Sequence, residues 1–340
     1  MSYFIIKGTS FPGGGASSQH CRLIIKGLRE SGISAWLLTS EPRLQRKPIG
    51  HSREVPFVYM GVGPKSIRKL NSSILISVLL IKRRLKTKQD LVIIGNRNLF
   101  QEWPLVLTCI LMRIDLYVWA VELESSLIYE RSVRSSIKRQ LMMIGTLMFE
   151  KVLPRLAKGY IVISRRLKEH YKKVIGERKI LLSPVLVDPR TASVETVKKA
   201  KKTQFSIVYS GTFSPKDGVP QLIEAFINVA QQIGDIELIL TGAAPAQESR
   251  KIEAFAKMRV REIGLEERVS FVGFVSRERL AEIMNNANIL LVCRTNSDFA
   301  NYGFPWKLGE YCMTGKPIIA TDVSDISLYL EDEKDIQIVP

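Results

Sequence analysis

The chain has 340 residues, more than one hydrophobic core ordinarily spans, so two domains of usual size are expected and a solitary small binding module is excluded. Apolar residues make up 46% and charged residues 24%, the balance of a globular protein and not of a disordered one. The net charge of +17 is unevenly spread: residues 1–202 hold 37 Lys and Arg against 14 Asp and Glu, and residues 203–340 hold 13 against 19, so the basic character belongs to the first part, where it suits nucleic acid, an anionic membrane surface or a phosphorylated partner.

Short β-branched or apolar runs recur along the chain, each followed by a longer stretch of helical spacing. In the first half they fall at 3–7, 34–38, 56–60, 91–95, 116–120, 160–163 and 180–182. In the second they resume at 205–211, 237–241, 269–274, 289–293, 317–321 and 336–339. Strand then helix, repeated, predicts an α/β protein whose parallel sheets are covered by helices on both faces. The lysine-rich segment 188–204 has no apolar periodicity and coincides with the reversal of charge, so it reads as a linker. Residues 1–187 and 205–340 are then two doubly wound, Rossmann-like domains facing across a cleft lined by the loops at the C-terminal ends of their strands.

The first loop, Gly8 to Ser18, contains Gly13, Gly14 and Gly15. Successive glycines let backbone approach an acceptor or a phosphate, or form a plain turn. Their spacing matches neither G-x-G-x-x-G nor the P-loop, which removes most support for a dinucleotide oxidoreductase or a P-loop NTPase. Glu122 and Glu124 follow the strand run 116–120, where they either orient an acceptor hydroxyl or cap the helix beginning near Ser125. After the run 205–211, which ends at Gly211, a polar loop carries Thr212 and Lys216 ahead of a helix beginning near Pro220.

The most informative stretch is Asn301 to Pro317. Pro305 suits a first helical position, Gly315 the left-handed residue past a helix end, and Pro317 a stop, which predicts one short helix over 305–314. Its start offers the backbone N–H groups of Gly303, Phe304 and Trp306 to an anion such as a diphosphate. Glu310, further along, suits the vicinal hydroxyls of a ribose. The alternative is that Lys307 and Glu310 pair across one turn.

Several segments together resemble the glycosyl transferases group 1 family, the retaining family 4 enzymes of GT-B fold. They are Val208-Tyr-Ser-Gly-Thr-Phe-Ser-Pro-Lys-Asp-Gly-Val219 with Leu222-Ile-Glu-Ala-Phe226, Leu238-Ile-Leu-Thr-Gly242, Val269-Ser-Phe-Val-Gly273, and Gly303 to Pro317 with Ile318-Ile-Ala-Thr-Asp322. The resemblance implies that Glu310 is the second of the family's paired carboxylates, the one that holds the nucleotide ribose. The first falls at Tyr302, which is not acidic, so sugar recognition would rest on backbone at Gly303 and Phe304. The family's arginine after Gly211 is Thr212 here, and its lysine before Gly218 is Asp217, with Lys216 one position displaced. Where the family often has a histidine and an acidic residue against the sugar or acceptor, this chain has Val121 and Glu122 or Glu124. The chain stops at Pro340, where the family usually continues for one or two helices, so its C-terminal end reads as truncated.

The expected function is therefore transfer of a sugar, with retention, from a nucleoside diphosphate sugar to an acceptor hydroxyl, the acceptor being a lipid-linked glycan of bacterial surface polysaccharide synthesis. Lys216, Glu310 and Glu122 are the candidate catalytic residues. Gly211, Thr212, Lys216, Tyr302, Gly303, Phe304, Lys307 and Glu310 form the donor site, and Gly13, Gly14 and Gly15 the acceptor or phosphate loop. No D-x-D motif is present and His20, His51 and His170 share no ligand spacing, so neither a metal nor a cofactor is expected. The alternative function is a GT-B-fold protein that binds a sugar nucleotide without transferring it.

Location follows from the same residues. The N-terminus has no basic start leading into an apolar core, and the apolar runs 70–81, 103–112 and 140–149 fall short of the roughly 18 residues of a membrane span. Cys21, Cys109, Cys293 and Cys312 include no C-x-x-C pair and read as space-filling thiols of a reduced, cytoplasmic protein. Basic clusters at 65–69, 82–88 and 151–179 lie beside short apolar stretches, which suits an anionic membrane surface at the inner face of the plasma membrane. Nucleic acid is not an expected partner, since no known binding pattern is present and the aromatics are not interleaved with the basic runs.

Overall fold

A computed structural model describes the chain apart from residues 1, 8–10, 12–14, 43–48, 53–54, 65–66, 87–89, 96–98, 124, 127–135, 189–203 and 243–245. It divides into two compact units, Met1–Leu186 and Val187–Pro340. The break falls at the start of the expected linker, most of which lies outside the described residues.

Unit 1 is built on an eight-stranded sheet. Its strands are β1 (Ser2–Lys7), β2 (Ser34–Pro42), β3 (Ile49–Ser52), β4 (Val55–Gly61), β5 (Asp90–Ile94), β6 (Asp115–Ala120), β7 (Gly159–Val162) and β8 (Ile180–Leu182). Their order across the sheet is β3-β4-β2-β1-β5-β6-β7-β8. Leu37, Leu38, Val92, Val118 and Val162 have no exposed surface, as strands covered on both faces require. One strand departs from the all-parallel expectation: β3 is a short edge strand antiparallel to β4.

The longer helices of unit 1 are α1 (Ala16–Glu30), α2 (Arg68–Arg84), α3 (Leu99–Leu111), α4 (Ser136–Leu147) and α5 (Arg165–Ile175). Ser164 begins α5 by accepting the N–H of Leu167 at 3.2 Å, and Gly176, at φ +76°, ends it. Between α4 and α5 the chain takes a π-helical turn over Met148–Val152.

Unit 2 carries β9 (Phe205–Ser210), β10 (Ile236–Thr241), β11 (Val269–Gly273), β12 (Ile289–Val292), β13 (Ile318–Thr321) and β14 (Gln337–Val339). The order is β11-β10-β9-β12-β13-β14, and every pairing is parallel. Its helices include α6 (Val219–Ala230), α7 (Gln247–Glu262), α8 (Arg277–Asn286), α9 (Asp298–Tyr302) and α10 (Trp306–Cys312). Helix α6 lays Leu222, Ile223, Phe226 and Ile227 on the sheet beside Leu238 and Leu240. Burying each side chain of this size contributes about 1.5–3 kcal/mol, so this helix is anchored by its apolar face alone.

From β9 the chain moves outward on one side to β10 and β11, then crosses to β12 and onward on the other. The reversal leaves a crevice beyond the C-terminal ends of β9 and β12, the place where doubly wound sheets hold ligands. The corresponding reversal in unit 1 lies between β1 and β5, whose following loops are largely outside the described residues.

Candidate functional site

The site in unit 2 starts from the last residues of β9. The Gly211 N–H donates to the Thr241 carbonyl at 3.0 Å, and the Gly242 N–H to the Gly273 carbonyl at 2.8 Å, so three strand ends are drawn together. Gly242, at φ +132°, packs so closely that a side chain there would collide with the Gly211 carbonyl. A methyl group on Gly211 would in turn collide with the Tyr209 hydroxyl and stand 2.9 Å from Lys307 Nζ. Backbone therefore lines this crevice at close quarters.

The loop after Gly211 turns back on itself through Asp217. That carboxylate accepts the Ser214 N–H at 3.1 Å and the Thr212 hydroxyl at 3.3 Å, which closes a 3-10 turn over Pro215–Asp217. Gly218, at φ +59°, then begins α6 with its backbone against the Cys293 carbonyl. The Cys293 thiol donates to the Asp217 carbonyl at 3.3 Å, and burial pushes that thiol up to about 12, so it is no thiolate.

Charge is concentrated here. Asp217 is 4% exposed, and Lys307 Nζ stands 4.0 Å from its Oδ1 and 3.8 Å above the Tyr209 ring centroid. Arg294, also buried, donates to the Ala300 and Phe304 carbonyls at 3.5 Å each, so it shapes the segment between α9 and α10. Half-buried Lys216 sits 4.1 Å from the Phe299 ring centroid. Burial raises the Asp217 carboxyl, but Lys307, Arg294 and Lys216 with the Ser214 N–H outweigh it and hold it below its usual range. Burial also lowers Lys307, and Arg294 and Lys216 add to that against the pull of Asp217. Arg294 and Lys216 thus push both Asp217 and Lys307 towards losing a proton.

The helix expected over 305–314 is shorter. Pro305 caps it and α10 spans seven residues, with the separate helix α9 before it, capped by the Ser297 hydroxyl at 3.2 Å from the Ala300 N–H. Helix α9 went unpredicted, although Ser297 and Asp298 are a helix-start signal. Gly315 does take φ +64°.

The alternative in which Lys307 and Glu310 pair does not hold, because Lys307 turns inward to Asp217 while Glu310 Oε1 accepts Arg277 Nη2 at 3.1 Å across from α8. Gly303 and Phe304 are buried by their surroundings: the Gly303 carbonyl accepts the Ser324 hydroxyl, and the Phe304 ring stands edge-on to Tyr329 at 5.8 Å. Tyr302 ends α9, half-buried. Arg277, Arg294 and Asp217 are the residues of this cluster that sequence reasoning did not select. The only signal for Arg294 was its place at the end of a strand run.

In unit 1, Gly15 caps α1 and is exposed, while Gly13, Gly14 and Glu124 lie outside the described residues. Glu122 is half-buried. At the start of the helix expected to be capped by Glu122 or Glu124, the Ser125 N–H donates to Glu150 Oε1 at 2.6 Å. Glu150 is buried on the π-helical turn, an element often found where a side chain must be re-aimed. Cys312 is exposed, contrary to its expected space-filling role.

Residues 204–340 match the family described as Glycosyl transferases group 1, which is the resemblance read from the motifs of this half. No curated protein matches the chain in sequence. Solved structures match it along its length. The Anabaena protein HepE in complex with UDP covers 100% of this chain and 85% of its own at 17% identity and TM-score 0.69. Sucrose-phosphate synthase of Thermosynechococcus elongatus covers 100% and 86% at 17% identity and TM-score 0.71. WaaG, a glycosyltransferase involved in lipopolysaccharide biosynthesis, covers 100% and 86% at 16% identity and TM-score 0.69. The fold is that of the GT-B glycosyltransferases, and the family match of the second unit supports sugar transfer in general.

Proposed function

We propose that this chain, whose residues 204–340 carry the glycosyl transferases group 1 pattern, moves a sugar with retention from a nucleoside diphosphate sugar to an acceptor hydroxyl, without a metal. The observation that carries the reading is the cluster of Lys307, Arg294 and Lys216 around Asp217 beyond the ends of β9 and β12. A diphosphate suits such a cluster, and its departure from an oxocarbenium-like carbon is the step that fixed cations favour. In this reading the bond from the anomeric carbon to the diphosphate oxygen breaks, the bond to the acceptor oxygen forms, and the acceptor's proton passes to the departing diphosphate. Glu310 holds the ribose, released from or shared with Arg277, and Glu122 orients the acceptor. HepE, one of the structures with this fold, was solved with UDP and with UDP-glucose, which supports a nucleotide sugar as donor.

The acceptor we favour is a lipid-linked glycan, with the protein cytoplasmic and peripheral at the inner membrane face. The asymmetry of charge supports this, since the basic excess belongs to residues 1–202. Tyr302, in place of an acidic residue, favours a second reading in which the donor is bound but not transferred. A panel of nucleoside diphosphate sugars screened by thermal shift, followed by a transfer assay with each binder, separates the two. Turnover with retained anomeric configuration is expected. Donor binding without turnover establishes the second reading, and no binding by any sugar nucleotide refutes both.

A further inference from the structure

Helix α2 is inside out. The face it turns to the protein holds Ser72, Ser73 and Ser77 with Ile76 and Leu80, and all five are buried. Ser72 donates to the Ser40 hydroxyl at 2.8 Å and Ser77 to the Ser73 carbonyl at 2.8 Å, while the buried Ser73 hydroxyl has no partner among the described residues. The opposite face presents Ile74, Val78, Ile81 and Leu85, spaced for one side of a helix, and each is exposed. A helix covering a sheet in a protein surrounded by water ordinarily has the reverse arrangement.

The neighbouring helices extend the same surface. Helix α3 packs against α2 and exposes Leu107, Ile110 and Leu111, the last at 79%. Helix α4 packs against α3 and exposes Met143, Ile144 and Leu147. An apolar face running over three adjacent helices exceeds what an isolated soluble protein ordinarily shows and marks a contact surface.

Charge decides what the contact is. Helix α2 carries Arg68 and Lys69 at its start and Lys82, Arg83 and Arg84 in its last turn. Across α2, α3 and α4 the only carboxylate is Glu102, which is 2% exposed. A second copy docking by two-fold symmetry would set these basic ends against themselves with no carboxylate between them. An anionic bilayer accepts both features, with the aliphatic face at the acyl boundary and the basic residues among headgroups. No helix among the described residues is long and apolar enough to cross a membrane, so the contact is one of lying on the surface.

We infer that the outward face of α2, α3 and α4 is a docking surface for an anionic lipid bilayer. This deepens the reading of a lipid-linked acceptor and rests on it for its purpose. Flotation of the full chain with vesicles of phosphatidylglycerol and phosphatidylcholine, against pure phosphatidylcholine, tests it. Binding to the anionic vesicles that weakens with salt is expected, with at least tenfold less on the zwitterionic ones.

Lys82→Ala is expected to lower partitioning about fivefold, the factor equivalent to about 1 kcal/mol per basic residue near an anionic surface. The triple variant Ile74→Ser, Val78→Ser, Leu107→Ser is expected to abolish binding. Leu107→Trp, which keeps the surface apolar, reports insertion through a fluorescence blue shift and quenching by brominated lipid. No binding by the parent chain, unaltered binding by the triple variant, or a solution dimer that the triple variant dissociates would each overturn the inference. Donor binding measured on the same samples keeps the two readings apart. Vesicle binding without donor binding refutes the transferase reading and leaves the surface standing; donor binding without vesicle binding does the reverse.

Discussion

Replacing Lys307 with methionine keeps the reach of the side chain and removes its charge, leaving Asp217 buried beside Arg294 and Lys216. At 4.0 Å and an effective dielectric constant of about 20, the attraction lost between Nζ and Oδ1 is about 4 kcal/mol. Against this, methionine is spared the several kcal/mol needed to take an ammonium out of water. Arg294 and Lys216 still compensate the carboxylate, so the net loss of stability is expected at about 1–2 kcal/mol rather than the 3–5 of an uncompensated buried charge.

The effect on ligand is larger. A charge-assisted contact to a diphosphate contributes about 1.5–3 kcal/mol, so affinity should fall about ten- to a hundredfold. Urea unfolding followed by circular dichroism gives the first quantity, and titration calorimetry with nucleoside diphosphates the second. A double-mutant cycle with Asp217→Asn isolates the pair. If Lys307→Met costs more than about 3 kcal/mol of stability and leaves nucleotide affinity unchanged, Lys307 is a buried structural ion and does not hold a diphosphate.

Other outcomes follow from the same geometry. Glu310→Ala should change stability by less than about 1 kcal/mol, because its pair with Arg277 is partly exposed, yet weaken nucleotide binding about tenfold; parallel melting and calorimetry check this. Gly211→Ala forces a methyl against the Tyr209 hydroxyl and should cost about 1–3 kcal/mol together with donor affinity, seen in unfolding and binding curves. The lowered pKa of Asp217 means that its stabilising contribution is complete above the ordinary value of 3.8 and is lost as pH falls through the lowered one; acid unfolding of Asp217→Asn should lack that part of the transition. Diphosphate affinity should fall as pH rises through the lowered lysine pKa, the range in which binding takes up a proton at Lys307, a dependence that Lys307→Met removes.

The alternation of strands and helices was legible because buried parallel strands are short β-branched runs, and 205–211 or 289–293 could hardly be anything else. Strand β3 escaped because Ile-Gly-His-Ser is too short and too polar to stand out, and it exists only by pairing with β4. The donor-side motif was found through its turn chemistry and its glycines. What spacing could not reveal was direction. Lys307 and Glu310 are three residues apart, which suggests each other as partners, whereas Lys307 meets a residue ninety positions earlier and Glu310 meets Arg277. Such choices depend on how strands are ordered in the sheet, and local sequence does not carry that order. The inverted helix α2 was legible only as a basic cluster beside an apolar run, since which face is covered depends on where β2 and β4 lie.

Tyr311 reaches from α10 across β12 to the last residue of β9, where its buried hydroxyl accepts the Ser210 N–H at 2.9 Å. One phenol thereby fixes the spacing between the helix that bears Lys307 and Glu310 and the strand that ends at Gly211. Along that helix the two side chains are set about 4.5 Å apart in rise. Given the proposed donor site, the two ends of a nucleoside diphosphate are gauged against one frame, and a nucleotide longer or shorter by one phosphate should bind less well.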